Sequence, residues 1–367
     1  MMTSVKTICF INSNKVWGGG EKWHFEFSQR LMKEGYRIIA VTNRNSDLFF
    51  KLQPTGIPIL PLKISNLSLL NPYKVIRLFL FLKKYDIHVV ILGLSSDLKL
   101  AGIVSKLAKI SRILYRRGSA IPVRNNILNR FLYKHILTGV IVNSLEIKRA
   151  LLQNNSQLIE DNKIHLLYNC VDFQNFSTSE AYNVFKEKKN GEIWLGNVGR
   201  LVDQKGQMLL IDLAKILKDK NIKFKLYIAG KGSLAQRLKE YTATLNVENE
   251  VVFLGFVADM PTFMNNIDIF LLPSAHEGSA NVLLEAMACS KPVVAFEVSS
   301  IGEIVEHNHT GFLAEFKNIE NFANEVERFI NDSQLRLQMG SNGKQRITEK
   351  FHIKETIAEL KRIIEIA

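Results

Sequence analysis

Arg200 and Lys205 stand five residues apart just ahead of Gly206, in the run Ile193-Trp-Leu-Gly-Asn-Val-Gly-Arg-Leu-Val-Asp-Gln-Lys-Gly206. Two cations around a tight glycine turn can be offered to one anionic ligand, or can be two solvated surface charges. Glu277 and Glu285 are eight residues apart in Pro273-Ser-Ala-His-Glu-Gly-Ser-Ala-Asn-Val-Leu-Leu-Glu-Ala-Met-Ala-Cys-Ser-Lys-Pro-Val-Val-Ala295, so one lies in a loop and the other about two turns into a helix. A third group is Gly18, Gly19 and Gly20, followed at once by Glu21. Consecutive glycines let backbone approach a ligand closely, and a helix start beyond them favours an anion.

These residues need elements to place them. The apolar run Ile267–Leu272 reads as a buried strand stopped by Pro273. Ser279 is the expected N-cap of a helix running to Ala288, which Pro292 forbids from continuing, and Val293–Phe296 is the next strand. That is a βαβ unit whose ligand edge is the loop holding Glu277 and Gly278, with the helix-start N–H groups at 279–282 facing it. Strand-like and helix-like segments alternate in both halves, which predicts α/β architecture with parallel sheets. In the first half strands are expected at Lys6–Asn12, Tyr36–Thr42, Ile59–Leu62, His88–Leu92, Arg112–Tyr115 and Gly139–Asn143, with helices over Lys22–Lys33 and Leu98–Ile110. In the second half Lys225–Ala229 is a strand ending at Gly230, and Val251–Val257 is another.

The 367 residues, 47% hydrophobic and 23% charged, suffice for two ordinary domains. The most apolar window, Val75–Leu94, still contains Arg77, Lys83, Lys84 and Asp86, so no membrane span is expected. The N-terminal segment reads as a first strand and not as a signal peptide, and three cysteines, Cys9, Cys170 and Cys289, read as reduced residues of a cytoplasmic protein. The net charge of +13 is divided as +15 over residues 1–172 and −2 over the rest. Between Leu98 and Leu145 there is no Asp or Glu, while Lys99, Lys106, Lys109, Arg116, Arg117 and Arg124 are among nine basic residues. This stretch is either a solvated face or one that meets an anionic membrane or acceptor.

The motifs together resemble the retaining, nucleotide-sugar-dependent glycosyltransferases of GT-B family 4. Glu277 to Ala288 reads EGSANVLLEAMA, close to the family's E-G-x-x-x-x-x-x-E-A-M-A. The run from Gly199 to Gly206 matches its G-R-L-x-x-x-K-G, and Gly18–Glu21 its G-G-x-E. Asn169-Cys-Val-Asp resembles the interdomain N-G-V-D segment. The resemblance is strongest over 193–315 and weak between 45 and 160. It implies two Rossmann-like doubly wound domains facing across a cleft: an acceptor-side domain over 1–172, a donor domain over 173–350, and a helix over 351–367 crossing back to the first. It implies that Arg200 and Lys205 neutralise the departing diphosphate, that Glu285 holds ribose hydroxyls and that Glu277 holds sugar hydroxyls near the reacting carbon. Gly18, Gly19, Gly20, Gly230, Val257, Ser279, Ala280, Asn281 and Val282 complete the implied donor site. Transfer is then front-face and retaining, to a glycan or lipid-linked acceptor at the inner face of the membrane.

Departures are local. Ser290 takes the place of a helix-closing glycine, Tyr36 that of a histidine, and Ser299-Ser-Ile-Gly-Glu303 replaces a Gly-Gly-x-Pro-Glu turn. None of the eight histidines falls in Arg116–Ala120, where many members carry one; His276 is open to structural, sugar-contacting or catalytic readings. With no Asp-x-Asp and no His/Cys cluster, neither a metal nor a cofactor is expected. A nucleotide-sugar epimerase or phosphorylase of the same fold, or a non-catalytic nucleotide-sugar-binding membrane protein, remains the alternative. Nucleic acid is not an expected partner, and a dehydrogenase is disfavoured because no G-x-G-x-x-G follows a strand.

Overall fold

The computed structural model describes residues 6–172, 188–278 and 280–366. Part of the polar run after the first domain, residues 177–187, and the expected N-cap Ser279 lie outside the described residues. The chain divides into two compact units, Met1–Tyr168 with Thr356–Ala367, and Asn169–Glu355.

The first unit is built on a seven-stranded parallel sheet in the order β3-β2-β1-β4-β5-β6-β7. Its strands are β1 (Thr7–Asn12), β2 (Arg37–Thr42), β3 (Ile59–Pro61), β4 (Val89–Leu92), β5 (Arg112–Arg117), β6 (Gly139–Val142) and β7 (Ile164–Leu166). β1 and β4 are buried at every position, as a parallel strand covered on both faces must be, and this accounts for their unbroken apolar runs. Cys9 sits opposite Ile39 on one side and Val90 on the other. β7, just ahead of the Asn169-Cys-Val-Asp segment, was not expected from the sequence; it pairs with β6 at Ile141–His165. The helix expected over Leu98–Ile110 begins earlier, at Ser95, passes through a π turn at Leu98–Gly102 and ends at Leu107. A second π turn, Leu132–Ile136, continues the helix Ile127–Phe131.

The final helix, Ile353–Glu365, contributes its residues from Thr356 onward to the first unit. Leu360, Ile363 and Ile364 are buried there. Arg112 Nε donates to the Ile363 carbonyl at 3.0 Å, and the Tyr36 hydroxyl donates to Glu365 Oε1 at 2.6 Å. Tyr36 therefore fixes this helix, a task its sequence position did not reveal.

The second unit carries a six-stranded parallel sheet ordered β10-β9-β8-β11-β12-β13. The strands are β8 (Ile193–Val198), β9 (Phe224–Ala229), β10 (Val251–Gly255), β11 (Ile269–Leu272), β12 (Val293–Phe296) and β13 (Gly311–Ala314). Phe296, Phe312, Phe322 and Phe329 are fully buried, Phe296 meeting Phe322 edge-on and Phe312 meeting Phe329 at a tilt, beneath the β12–β13 edge. The helix between β11 and β12 spans Asn281–Ala288, and its N-cap is Ala280, one residue later than expected and without a side-chain cap. Ser290 closes it at φ +57°, the left-handed conformation that glycine more often supplies. A Cβ on Gly340 would collide with the Ser290 carbonyl, so this turn is packed tightly against the helix Ser333–Lys350.

Candidate active site

In an open parallel sheet, loops at the C-terminal strand ends part where the strand order reverses, and ligands bind there. In the second unit that point lies between β8 and β11. The loop after β8 carries Arg200 and Lys205; the loop after β11 carries His276 and Glu277. Lys205 Nζ donates to Glu277 Oε1 at 2.5 Å, with side chains only 17% and 7% exposed. Two further bonds join the loops: Ala275 N–H to the Gln204 carbonyl at 2.8 Å, and Gln204 Nε2 to the His276 carbonyl at 2.8 Å. Gly206 has φ +69°, and a Cβ there would overlap the Pro273 carbonyl, so only glycine allows the loops this approach. The Lys205 stem folds back to Gly199, while Arg200 is exposed at the loop entrance.

The other positions expected at this site surround the same edge. Gly230 ends β9 at φ +145°, with its α-carbon against the Gly199 carbonyl, so it locks the loops after β8 and β9 together. Val257 follows β10 and is buried, beside the exposed Phe256. Ala280 is buried; Asn281, Val282 and Glu285 are half-buried on the Asn281–Ala288 helix. Asn281 Oδ1 accepts from Asn169 Nδ2 at 2.6 Å, which gives the Asn169-Cys-Val-Asp segment a direct hold on this helix start.

Sequence reasoning missed Ser299 and Ser300. Ser299 Oγ lies 2.8 Å from His276 Nδ1 and accepts from the Glu277 N–H at 3.4 Å. Ser300 Oγ is 3.3 Å from both the Glu277 and Gly278 carbonyls. The loop that departs from the family pattern is thus the one that props Glu277. Its location after β12, next to β11 in the sheet, was the available signal.

The first unit's strand order reverses between β1 and β4, and a cavity of about 740 Å³ opens there. Gly20 lines it; Gly18 is the N-cap and Gly19 the first residue of the helix Gly19–Lys33. A Cβ on Gly19 would meet nothing within 4 Å, so packing does not demand glycine there. Arg116 lies 5.1 Å from the Trp23 ring centroid, and burial holds its titration down at about 10 despite the opposing pull of Glu21. Glu21 Oε1 accepts from Asn12 Nδ2 at 3.1 Å. His24, buried beside them, is pushed down to about 3 by burial, and Asp97 is lifted to about 7 for the same reason.

The six residues expected on a basic face divide into three pairs. Lys106 and Lys109 are exposed. Lys99 and Arg124 line the cavity, Lys99 Nζ donating to Asn66 Oδ1 at 2.8 Å. Arg116 and Arg117 correct the expectation of an exposed face: both are buried at the end of β5, because that strand runs two residues further than its apolar core and carries them into the cavity wall.

Among the described residues no three His, Cys, Asp or Glu side chains gather as metal ligands, and no helix is long and apolar enough to cross a membrane. Two parallel α/β units with their loops gathered at switch points define the Rossmann-like GT-B fold. The Anabaena protein HepE, solved in complex with UDP and glucose, superposes with a TM-score of 0.82 over 97% of this chain and 98% of that one, at 22% identity. Residues 17–175 match the sequence family described as Glycosyltransferase Family 4, and residues 179–346 match Glycosyl transferases group 1. A glycosyltransferase of Methanocaldococcus jannaschii is 30% identical over 70% of this chain and 68% of its own length. The capsular polysaccharide biosynthesis glycosyltransferase CapM of Staphylococcus aureus is 32% identical over 58% of each chain. The Escherichia coli UDP-Gal:alpha-D-GlcNAc-diphosphoundecaprenol alpha-1,3-galactosyltransferase is 26% identical over 82% of this chain and 81% of its own. The chain belongs to this family of glycosyltransferases.

Proposed function

We propose that the protein moves a sugar, with retention and without a metal or cofactor, from a nucleoside-diphosphate sugar held by the second unit to a lipid-linked or cell-surface glycan precursor bound by the first. The Lys205–Glu277 pair carries this reading, because it puts a cation and a carboxylate together at the ligand edge of the sheet. Lys205 and Arg200 offset charge as the diphosphate departs, and the start of the Asn281–Ala288 helix adds N–H donors. Glu285 takes the ribose and Glu277 the sugar hydroxyls, while backbone around Gly230 and Val257 borders the nucleotide; Gly18–Gly20 supply further N–H groups toward phosphate. The bond from the anomeric carbon to the diphosphate oxygen breaks as that from carbon to the acceptor oxygen forms on the same face. The acceptor proton passes to the departing diphosphate, so no second carboxylate is required.

The precursor class is supported by the E. coli relative, whose name specifies a diphosphoundecaprenol-linked acceptor. A place at the inner membrane face is supported by the charge division and by the helix Pro72–Lys84, which exposes Tyr73, Ile76 and Leu80 beside Lys74 and Arg77. The test begins with a panel of nucleotide-sugars in a thermal-shift assay, since a true donor raises Tm by mass action. Transfer from the donor so found should survive EDTA and give product with the donor's anomeric configuration. No stabilising nucleotide-sugar, abolition by EDTA with rescue by Mg²⁺ or Mn²⁺, or an inverted product would each refute the corresponding part.

A further inference from the structure

The first unit's cavity has a composition that binding a bare sugar does not require. Its wall holds Arg116, Arg117, Lys99 and Arg124 against a single carboxylate, Glu21. From Leu48 to Leu145 the chain carries fifteen lysines and arginines against two aspartates, and one of those, Asp97, is fully buried. Arg116 has its counter-charge in Glu21, but Arg117 has no carboxylate partner among the described residues. Arg117 is only 7% exposed and is held by the hydroxyls of Tyr115 and Tyr133 and by the Ile121 carbonyl, and its Nε is buried without a partner. A buried guanidinium offset only by neutral dipoles is costly unless an anion completes it. Its planar N–H fork suits a phosphoryl group.

Exposed apolar side chains lie on or next to the lining of the same cavity. Asn66, Ile121 and Leu128 are in its lining, and Leu67, Ile121 and Ile127 on or next to those positions are 72%, 70% and 84% exposed. Basic walls beneath a greasy rim fit an amphiphile whose phosphoryl group goes in and whose chain lies across the edge. The two π turns, Leu98–Gly102 and Leu132–Ile136, each place residues in this wall: Leu98 and Lys99 from the first, Leu132 and Tyr133 from the second. A π turn widens a helix locally and recurs at functional sites.

We infer that this cavity holds the phosphoryl group of a lipid-borne acceptor, with Arg117 as its principal ligand and the Leu67–Ile121–Ile127 rim taking the first part of the hydrocarbon chain. The inference rests on the acceptor side of the proposed function and names the chemistry that side reads.

The experiment is calorimetric titration with farnesyl diphosphate, inorganic diphosphate and farnesol, each in saturating UDP so that the second unit's diphosphate site is filled. Farnesyl diphosphate is expected to bind at least about tenfold more tightly than either of the others, since each lacks one half of the recognised group. Arg117→Gln should weaken it at least about tenfold while Arg117→Lys, which keeps the charge but not the fork, recovers part of that loss, a rescue that loss of packing alone would not give. Should Arg117→Gln fail to fold, the exposed positions Arg124→Gln and Ile127→Ser carry the test, each expected to lower affinity several-fold. Equal affinity for inorganic diphosphate and farnesyl diphosphate overturns the lipid source, and unchanged affinity in the Arg117 or Arg124 variants overturns the site. Absence of UDP binding in the same protein would count against the donor assignment and leave this result readable in UDP-free buffer.

Discussion

Lys205 and Glu277 are 72 residues apart in sequence and 2.5 Å apart at their charged atoms. Each comes from a loop at the sheet's C-terminal edge, and each is largely shielded from water. Neither charge is therefore independent. Glu277 aims the ammonium group, and Lys205 holds the carboxylate in place.

Removing either member should cost more than its own contact. Lys205→Ala and Glu277→Ala are each expected to lower kcat by roughly 10²-fold or more, and the double variant to fall by much less than the product. Arg200→Ala, at an exposed position, should lower kcat with no change in Tm, whereas Glu285→Gln should act mainly on donor KM. Steady-state kinetics on the four variants and the double mutant decide this, and normal turnover by Glu277→Ala would contradict the assignment of the site.

The loop after β8 is held by close backbone packing that a methyl group would break. Gly230→Ala needs φ +145° and places its Cβ inside the Gly199 carbonyl. The variant is expected to lose at least about 2 kcal/mol of stability and its donor-induced thermal shift together. A Tm equal to that of wild type would mean the loops separate freely.

Much of this was legible in the sequence. The strand-helix alternation predicted both parallel sheets, because strands buried on two faces leave continuous apolar runs such as Ile8–Ile11 and Val89–Leu92. Motif spacing brought Arg200, Lys205 and Glu277 to neighbouring loops. Three things were hidden. β7 has only three residues and runs into the Asn169-Cys-Val-Asp motif, which read as a domain connection. The burial of Arg116 and Arg117 depends on β5 extending past Tyr115, and charge alone argued for the surface. The Ser299 and Ser300 props arise from the adjacency of β11 and β12 and have no local signature.

Asp97 gives the first unit a testable pH dependence. Burial raises its carboxyl from 3.8 to about 7, against hydrogen bonds from Ser13 and the Leu94 N–H. The native state holds this proton more tightly than the unfolded chain does. Its contribution to stability is therefore complete below about pH 4 and is lost as pH rises through about 7. Asp97→Asn keeps an oxygen for the two N–H donors and an amide for Ser13 Oγ, so it should lack this loss. Denaturant unfolding at pH 5 and pH 8 should find the variant gaining on wild type at the higher pH, by at most roughly 3 kcal/mol. His24 contributes an opposite slope below about pH 6.5 in both proteins and cancels in the difference. An unchanged difference between the two pH values would mean Asp97 titrates as an ordinary carboxylate.

Attachment to anionic membranes should have two separable parts. Lys106 and Lys109 are exposed, and the helix Pro72–Lys84 exposes Ile76 and Leu80. Each lysine near an anionic leaflet contributes roughly 1 kcal/mol, screened over about 8 Å at physiological salt. In liposome sedimentation, Lys106→Glu with Lys109→Glu should reduce pelleting at low salt. Ile76→Ser with Leu80→Ser should remove what persists at high salt. Equal pelleting with neutral and anionic vesicles, or indifference to both double substitutions, would argue for a plain solvated face.

The first unit is not finished when its last strand has been made. Its closing piece, from Thr356 onward, is encoded after the whole of the second unit, and Arg112 and Tyr36 bind to it. During synthesis on the ribosome the sheet of β1–β7 must wait, with the seats for Leu360, Ile363 and Ile364 still vacant, while some 190 further residues are translated. At roughly 5–20 residues per second that is an interval of about ten to forty seconds. The second unit, contiguous in the chain, is complete before the first. A chain cut just ahead of Thr356 would leave it whole and its neighbour unsealed.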